Sequence, residues 1–240
     1  MFRDGQHYLF LICLVLELLC FQSASWENIC GEHLIRPVGD HRTLLKKREK
    51  RKIVKLNREL TGQKVYLKSA DIEDTAYTYQ VRQDVNRTKY MHAVTGGIES
   101  QKKWLENQIA DKDSYFFVVR TKEGKPIGTY GLYDLDFQKK TGEIGRAILN
   151  GTPVENLEAI YLVHEFAYFD LELDKLYTEC FEDNTAAVGV NTQVGGVEIG
   201  RNHMDGFGNL ENIHFEITRE NYLCKRAHIK SLVDRFNSRQ

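Results

Sequence analysis

The sequence predicts an α+β fold, a mostly antiparallel sheet flanked by helices, and three observations carry that expectation. From Thr61 onward the chain alternates between stretches of period two and stretches of helical period. The order is strand, two helices, three strands in a meander, helix, strand, helix, two strands and a C-terminal helix, which is not a repeating βαβ array. The 240 residues are 42% hydrophobic and 28% charged, the balance of a chain that builds a core.

Each element has its own signal. Lys64-Val-Tyr-Leu-Lys68 alternates as a short strand. Ile72, Ala76, Tyr79 and Gln83 recur at helical spacing behind Asp71, Glu73 and Asp74, acids that suit a first turn. Ser100 to Ala110 follows as a helix carrying Trp104, Leu105 and Ile109. Ser114 to Thr121 (SYFFVVRT) is aromatic and β-branched, hence a strand. Gly124 centres a tight hairpin into a return strand, Ile127 to Leu135. After the turn at 138–142, Glu143 to Leu149 is a third strand, which alternation expects to show Glu143, Gly145 and Ala147 on one face.

Pro153 marks a helix start, and Leu157, Ile160, Tyr161, Ala167 and Tyr168 form that helix's apolar stripe. Lys175 to Phe181 is a buried strand. Asn184 precedes a small-residue helix, Thr185 to Gln193. Val197 to Arg201 and Asn209 to Thr218 are the last strands, and the closing helix carries Leu223, Ala227, Leu232, Val233 and Phe236.

Composition excludes several classes. A net charge of −1 is not that of a globally basic nucleic-acid binder, so no nucleic acid is expected as partner. Cys13, Cys20, Cys30, Cys180 and Cys224 are odd in number and form no CxxC pair, and the eight histidines form no HxxxH pair. A disulfide framework and a metal site are therefore not expected. Cys180 and Cys224 read as small packing residues.

Residues 1–60 read as an extension. Tyr8 to Phe21 is apolar but for Glu17, shorter than the ~20 residues of a spanning helix. It reads as a weak signal or anchor, as a packing helix, or, the reading favoured, as sequence upstream of the true translation start. Residues 41–60 then hold nine Lys/Arg and two Glu, a local +7 that leaves −8 on the rest. Membrane association is expected only through this extension, and the protein is otherwise expected in the cytoplasm as a monomer or homodimer.

From residue 61 to 240 the chain resembles the GCN5-related N-acetyltransferase (GNAT) superfamily, most closely its bacterial ribosomal-protein and amino-sugar branch. The likeness lies in Lys64 to Asp74, in Ser100 to Asn107 with Trp104, in Pro126-Ile-Gly-Thr-Tyr-Gly-Leu132, in Gly142-Glu-Ile-Gly-Arg146, in Ala167 to Tyr177 and in Asn184, all in the family's order. The resemblance implies a splayed central sheet and transfer of an acetyl group from acetyl-CoA, as cosubstrate, to a primary amine. The acceptor would be a small amine, an amino sugar or a protein N-terminus, and no metal is implied.

The resemblance also assigns residues. Glu143, opening the central strand, would be the base. The cofactor would meet the backbone of Ile144, Arg146 and Ile148, the turn residues Asn150, Gly151 and Thr152, and Asn156 and Asn184. Its pyrophosphate would sit on N–H groups at the helix start, where a side chain on Gly151 is expected to obstruct it. Asn191 stands where the family commonly has the tyrosine that protonates the leaving thiolate.

Two departures stand out. Asn150-Gly-Thr-Pro-Val-Glu-Asn156 keeps one glycine of the family's phosphate loop, Pro153 has no N–H, and Glu155 adds a negative charge. Asn191 is no acid at neutral pH. The alternative to an enzyme is therefore a catalytically degraded member of the fold, acting in binding or regulation.

Overall fold

A computed structural model describes residues 56–92 and 95–237; the apolar run and most of the basic run lie outside them. The period-two segments form β1 (Leu60–Thr61), β2 (Val65–Ser69), β3 (Tyr115–Thr121), β4 (Pro126–Asp136), β5 (Thr141–Leu149), β6 (Lys175–Phe181), β7 (Val197–His203) and β8 (Glu211–Thr218). The helical segments form α1 (Thr75–Gln83), α2 (Val85–Thr88), α3 (Gly97–Ala110), α4 (Pro153–Glu165), α5 (Thr185–Gln193) and α6 (Arg219–Asn237). All eight strands join one sheet in the order β1-β2-β3-β4-β5-β6-β8-β7. Every neighbouring pair is antiparallel except β5 with β6. This is the α+β architecture the pattern predicts.

Local chemistry explains where the elements begin. Asp71 accepts from Glu73 N–H (3.0 Å) and Asp74 accepts from Asp71 N–H (3.1 Å), a reciprocal cap for the 3-10 turn that leads into α1. Gly124 takes φ +86 in the β3–β4 hairpin, a region where glycine carries no Cβ penalty. Thr152 caps α4 with Pro153 in its first turn.

The principal core lies between the sheet and α4 and α6. Leu67, Phe117, Leu132, Leu176 and Ile217 from the strands meet Ala159, Val163, Phe166 and Tyr168, and Tyr222 and Ile229 close over them. A smaller cluster on the other face packs Leu105 and Trp104 of α3 on Phe116 and Val118. Leu60 enters the main core and Leu56 packs against it. In α6 the buried stripe is Tyr222, Ile229, Leu232 and Val233, whereas Leu223 is exposed. Cys180 is buried as expected; Cys224 is exposed, because its position on α6 turns away from the core.

Glu158 on α4 is 2% exposed. Its carboxylate accepts from three backbone N–H groups in the turn between β1 and β2, those of Gln63 (2.8 Å), Lys64 (2.7 Å) and Val65 (2.9 Å). Gly62 makes room, since a Cβ there would lie 2.4 Å from the carboxyl carbon. The helix α4 is thereby tied to the first hairpin.

His164, also on α4, donates Nδ1–H to Ile160 O (2.8 Å) and stacks on Tyr222, while its Nε2 is buried without a partner. Only one of its two ring nitrogens is satisfied. Burial pushes its pKa down from 6.5 to about 4. The unfolded chain binds this proton below pH 6.5 and the folded chain only near pH 4, so stability is lost as pH falls through that window. At 1.36 kcal/mol per unit the loss reaches about 3 kcal/mol. His164→Leu is expected to flatten the acid side of a plot of urea midpoint against pH; the same fall in both proteins would contradict this.

Candidate active site

The site is built where the sheet opens. β5 and β6 pair only through Thr141–Lys175, Gly142–Leu176 and Glu143–Tyr177, and beyond Glu143 they part. The stretch of β5 from Ile144 to Leu149 then has β4 on one side only, so its backbone groups on the other side are left for another extended chain.

β4 pairs Gly131 with Gly145 and Thr129 with Ile148, so β5 holds one extra residue there. The bulge carries Arg146 at φ 53, a left-handed conformation that costs a non-glycine residue about 1 kcal/mol. This corrects the simple alternation: Glu143 and Gly145 share a face, but the bulge turns Ala147 to the other. The Arg146 guanidinium lies 3.9 Å from the centre of the Tyr133 ring and hydrogen-bonds Gln108 of α3. Ile144 and Ile148 are buried, so they offer the opening their backbones, not their side chains.

Glu143 is half-buried, opposite Tyr133 in register. Burial raises its pKa above the ordinary carboxylate value, and the negative charges of Asp134 and Glu179 add to the rise, while a hydrogen bond from Tyr133 and the charge of Arg146 oppose it. Burial, reinforced by Glu143, pushes the Tyr133 hydroxyl up to about 12. Tyr133 thus lines the opening, whereas Tyr130 belongs to the core.

At the start of α4 most of the candidate phosphate donors are engaged within the turn. Asn150 N–H donates to Ile127 O (2.7 Å) and Gly151 N–H to Asn156 Oδ1 (3.0 Å). Glu155 Oε2 accepts from Thr152 N–H (2.6 Å) and from Thr152 Oγ1 (2.8 Å). Glu155 therefore places its own carboxylate over the helix N-terminus, in a capping box that Thr152 completes. Asn156 is buried, with its amide holding both Gly151 N–H and Gly151 O. A Cβ on Gly151 would meet Ile127 at 2.8 Å and Glu155 at 2.9 Å, so a side chain there would strike the fold itself before any ligand.

Across the opening, Asn184 caps α5 by accepting from Ala187 N–H (3.3 Å). Asn191 donates its Nδ2 to Cys180 Sγ (3.5 Å), and burial raises that thiol to about 11. The amide is thus turned toward a sulfur, but one belonging to the protein.

The sequence reading missed the company Glu143 keeps. Glu179, Asn212, Asn202 and His214 lie on the same sheet face. Period-two alternation along β6 signals Glu179 once Tyr177 is placed beside Glu143; the β8 partners depend on a long-range register. Among the described residues no group of three His, Cys, Asp or Glu side chains is placed to hold a metal ion, and no helix is long and apolar enough to cross a membrane.

Comparison with known proteins agrees with this geometry. The profile of the acetyltransferase (GNAT) domain family matches residues 64–197. No curated protein matches the sequence. Among solved structures, apo FdhC, described as a nucleotide-linked sugar GNAT, is similar at 23% identity and TM-score 0.62, over 72% of this chain and 97% of that one. A GCN5-related N-acetyltransferase from Brucella melitensis is similar at 18% identity and TM-score 0.63, over 73% and 85%. Spermidine N-acetyltransferase from Vibrio cholerae, solved with CoA and spermine, gives 18% identity and TM-score 0.60, over 68% and 99%. At these identities the likeness is one of fold.

Proposed function

This chain belongs to the GNAT acetyltransferase family, and from that premise we propose that it moves the acetyl group of acetyl-CoA to a primary amine held over the sheet beside Glu143. The observation that carries the reading is the parting of β5 and β6 directly past Glu143. The transfer unit runs from residue 61 to 240. The pantetheine arm pairs with the free side of β5 along Ile144, Arg146 and Ile148. The pyrophosphate lies by Asn150, Gly151 and Thr152 at the start of α4, and the thioester sits in the opening near Asn184 and Asn191.

Glu143 supplies the base. An alkylammonium with a pKa of ~10.4 does not attack a thioester until it loses a proton. A carboxylate with a raised pKa is a better match to that proton than an ordinary one. The CoA thiol, ionising near ~8.5, leaves without a strong acid, so an amide at Asn191 suffices where an acid would otherwise stand. The acceptor is a small amine, an amino sugar or a protein N-terminus. The named activities of the similar structures, a sugar GNAT and a spermidine acetyltransferase, support amine acceptors in this fold.

A second reading, a degraded member that binds without catalysis, is favoured by one observation: Glu155 occupies the N–H and hydroxyl of Thr152, while the Asn150 and Gly151 N–H groups are held by Ile127 O and Asn156. The two readings separate on acetyl-CoA binding. If the cofactor docks here, it displaces Glu155, and the neutral Glu155→Gln relieves a repulsion worth about 1 kcal/mol or more at close range. Calorimetric titration is expected to show acetyl-CoA binding about fivefold or more tighter in Glu155→Gln than in the wild type. Binding to neither protein supports the degraded reading.

A further inference from the structure

The sheet face that carries Glu143 continues across β6 and β8. Glu143 stands beside Tyr177, Tyr177 opposite Glu216, and Glu179 opposite His214, so alternation keeps these residues on one face. Part of that face is wired together. Asn212, 1% exposed, donates Nδ2 to Glu179 Oε2 (2.9 Å) and to Asn202 Oδ1 (3.3 Å). His214 Nε2 lies 2.9 Å from the same Asn202 Oδ1, and His214 Nδ1 lies 3.6 Å from Glu179 Oε2.

These contacts decide the tautomer of His214. An ionised carboxylate only accepts, so Asn212 turns its amino group to Glu179. Asn202 then presents its oxygen to Asn212 and to His214, and Nε2 must be the nitrogen that carries hydrogen. Neutral His214 therefore points a bare Nδ1 lone pair at a carboxylate. Protonation of Nδ1 replaces that repulsion with an ion pair. The two side chains form a base whose proton has a defined landing place, and both remain partly open to water, at 36% for His214 and 45% for Glu179.

Glu179 lies two residues past Tyr177, on the opening side of the last β5–β6 contact, and is near enough for its charge to raise the Glu143 carboxyl. The charged surroundings favour proton arrival. Asp134 of β4 and Glu179 face Glu143, and Arg146 lies against Tyr133. Lys175 is paired with Glu216 (2.9 Å), and Tyr177 also donates to Glu216 (3.3 Å). From β7 the group facing His214 is the neutral Asn202.

We propose that Glu179 and His214 are a proton-relay pair that serves Glu143, an inference that rests on the reading of Glu143 as base. The acceptor ammonium loses one N–H proton to the Glu143 carboxylate. That proton passes through water to His214 Nδ1, giving an imidazolium paired with Glu179, and Nδ1 then releases it to solvent. Glu143 is ionised again for the next turnover, and Nε2 keeps its hydrogen throughout. Glu179 and His214 act through Glu143 and are positioning and relay residues.

The test is turnover of the full chain with acetyl-CoA and its best amine, at fixed pH, with and without added imidazole. His214→Ala is expected to lower kcat about tenfold, below the 10²–10⁴ range for removing a direct general base. The KM for acetyl-CoA should stay unchanged, and free imidazole should restore part of the loss while leaving the wild type unaffected. Glu179→Gln should show a loss that imidazole does not relieve. If the alanine variant does not fold, His214→Gln, whose amide can keep the bond to Asn202, carries the same expectation. Full turnover in the histidine variants, or a loss that imidazole leaves untouched, overturns the relay while leaving the transfer reading intact. A wild type inactive on every amine overturns that reading and the relay with it.

Discussion

Glu158→Ala is expected to lower the free energy of unfolding by about 4 kcal/mol, because it strips three backbone N–H groups of their acceptor at once, at roughly 1–3 kcal/mol for each buried donor left unmade. The figure stays below the upper sum because Gln63 and Lys64 lie close enough to the surface to regain water. A loss of that size in a chain this long lowers Tm by about 10 °C. Glu158→Gln should fall between, since its one remaining oxygen still accepts while its amino group faces a donor. Urea denaturation followed by circular dichroism measures both. A change below about 1 kcal/mol for the alanine variant would mean that water replaces the carboxylate in that turn.

The other large effect is chemical. Glu143→Gln keeps the shape of the side chain and its contact with Tyr133, and removes the proposed base. Turnover is expected to fall at least about tenfold, and up to the 10²–10⁴ that general bases commonly contribute. The sign of the pH dependence follows from the acceptor. As pH rises toward the ~10.4 of a free alkylamine, more of it is already deprotonated and the deficit shrinks. The wild type should lose activity on the acid side at a pH above that of an ordinary glutamate, because burial, Asp134 and Glu179 all raise this carboxyl. An unchanged profile in the glutamine variant would remove Glu143 from the mechanism. Asn191→Ala should cost less, since the thiolate leaves readily.

Much of the fold was legible because its signals are local. The aromatic and β-branched run of β3, the glycine-centred hairpin into β4 and the Thr152-Pro153 start of α4 are decided by neighbours within a few residues. Strand and helix ends moved by one to three residues, as with α3, which begins at Gly97 rather than Ser100. β7 reached His203, because its pairing with β8 holds residues that no apolar pattern marks.

What was not legible depends on register and distance. The bulge at Arg146 follows from the mismatch between β4 and β5, and it moved Ala147 off the face of Glu143. The ties from Glu158 span more than ninety residues, and nothing near position 158 announces them. The sequence shows Glu155 as a negative charge in the turn before α4, but only the fold shows its carboxylate closed onto Thr152. Glu179 and His214 come together across a β6–β8 pairing that the two strand patterns by themselves do not align.

If the opening past Glu143 is an acetyl-transfer site, incubating the full chain and acetyl-CoA with a panel of primary amines releases free CoA thiol. Amine-dependent thiol release is expected for at least one small amine, amino sugar or peptide N-terminus, abolished or strongly reduced in Glu143→Gln. No amine-dependent thiol release from a folded wild type across the panel would contradict it.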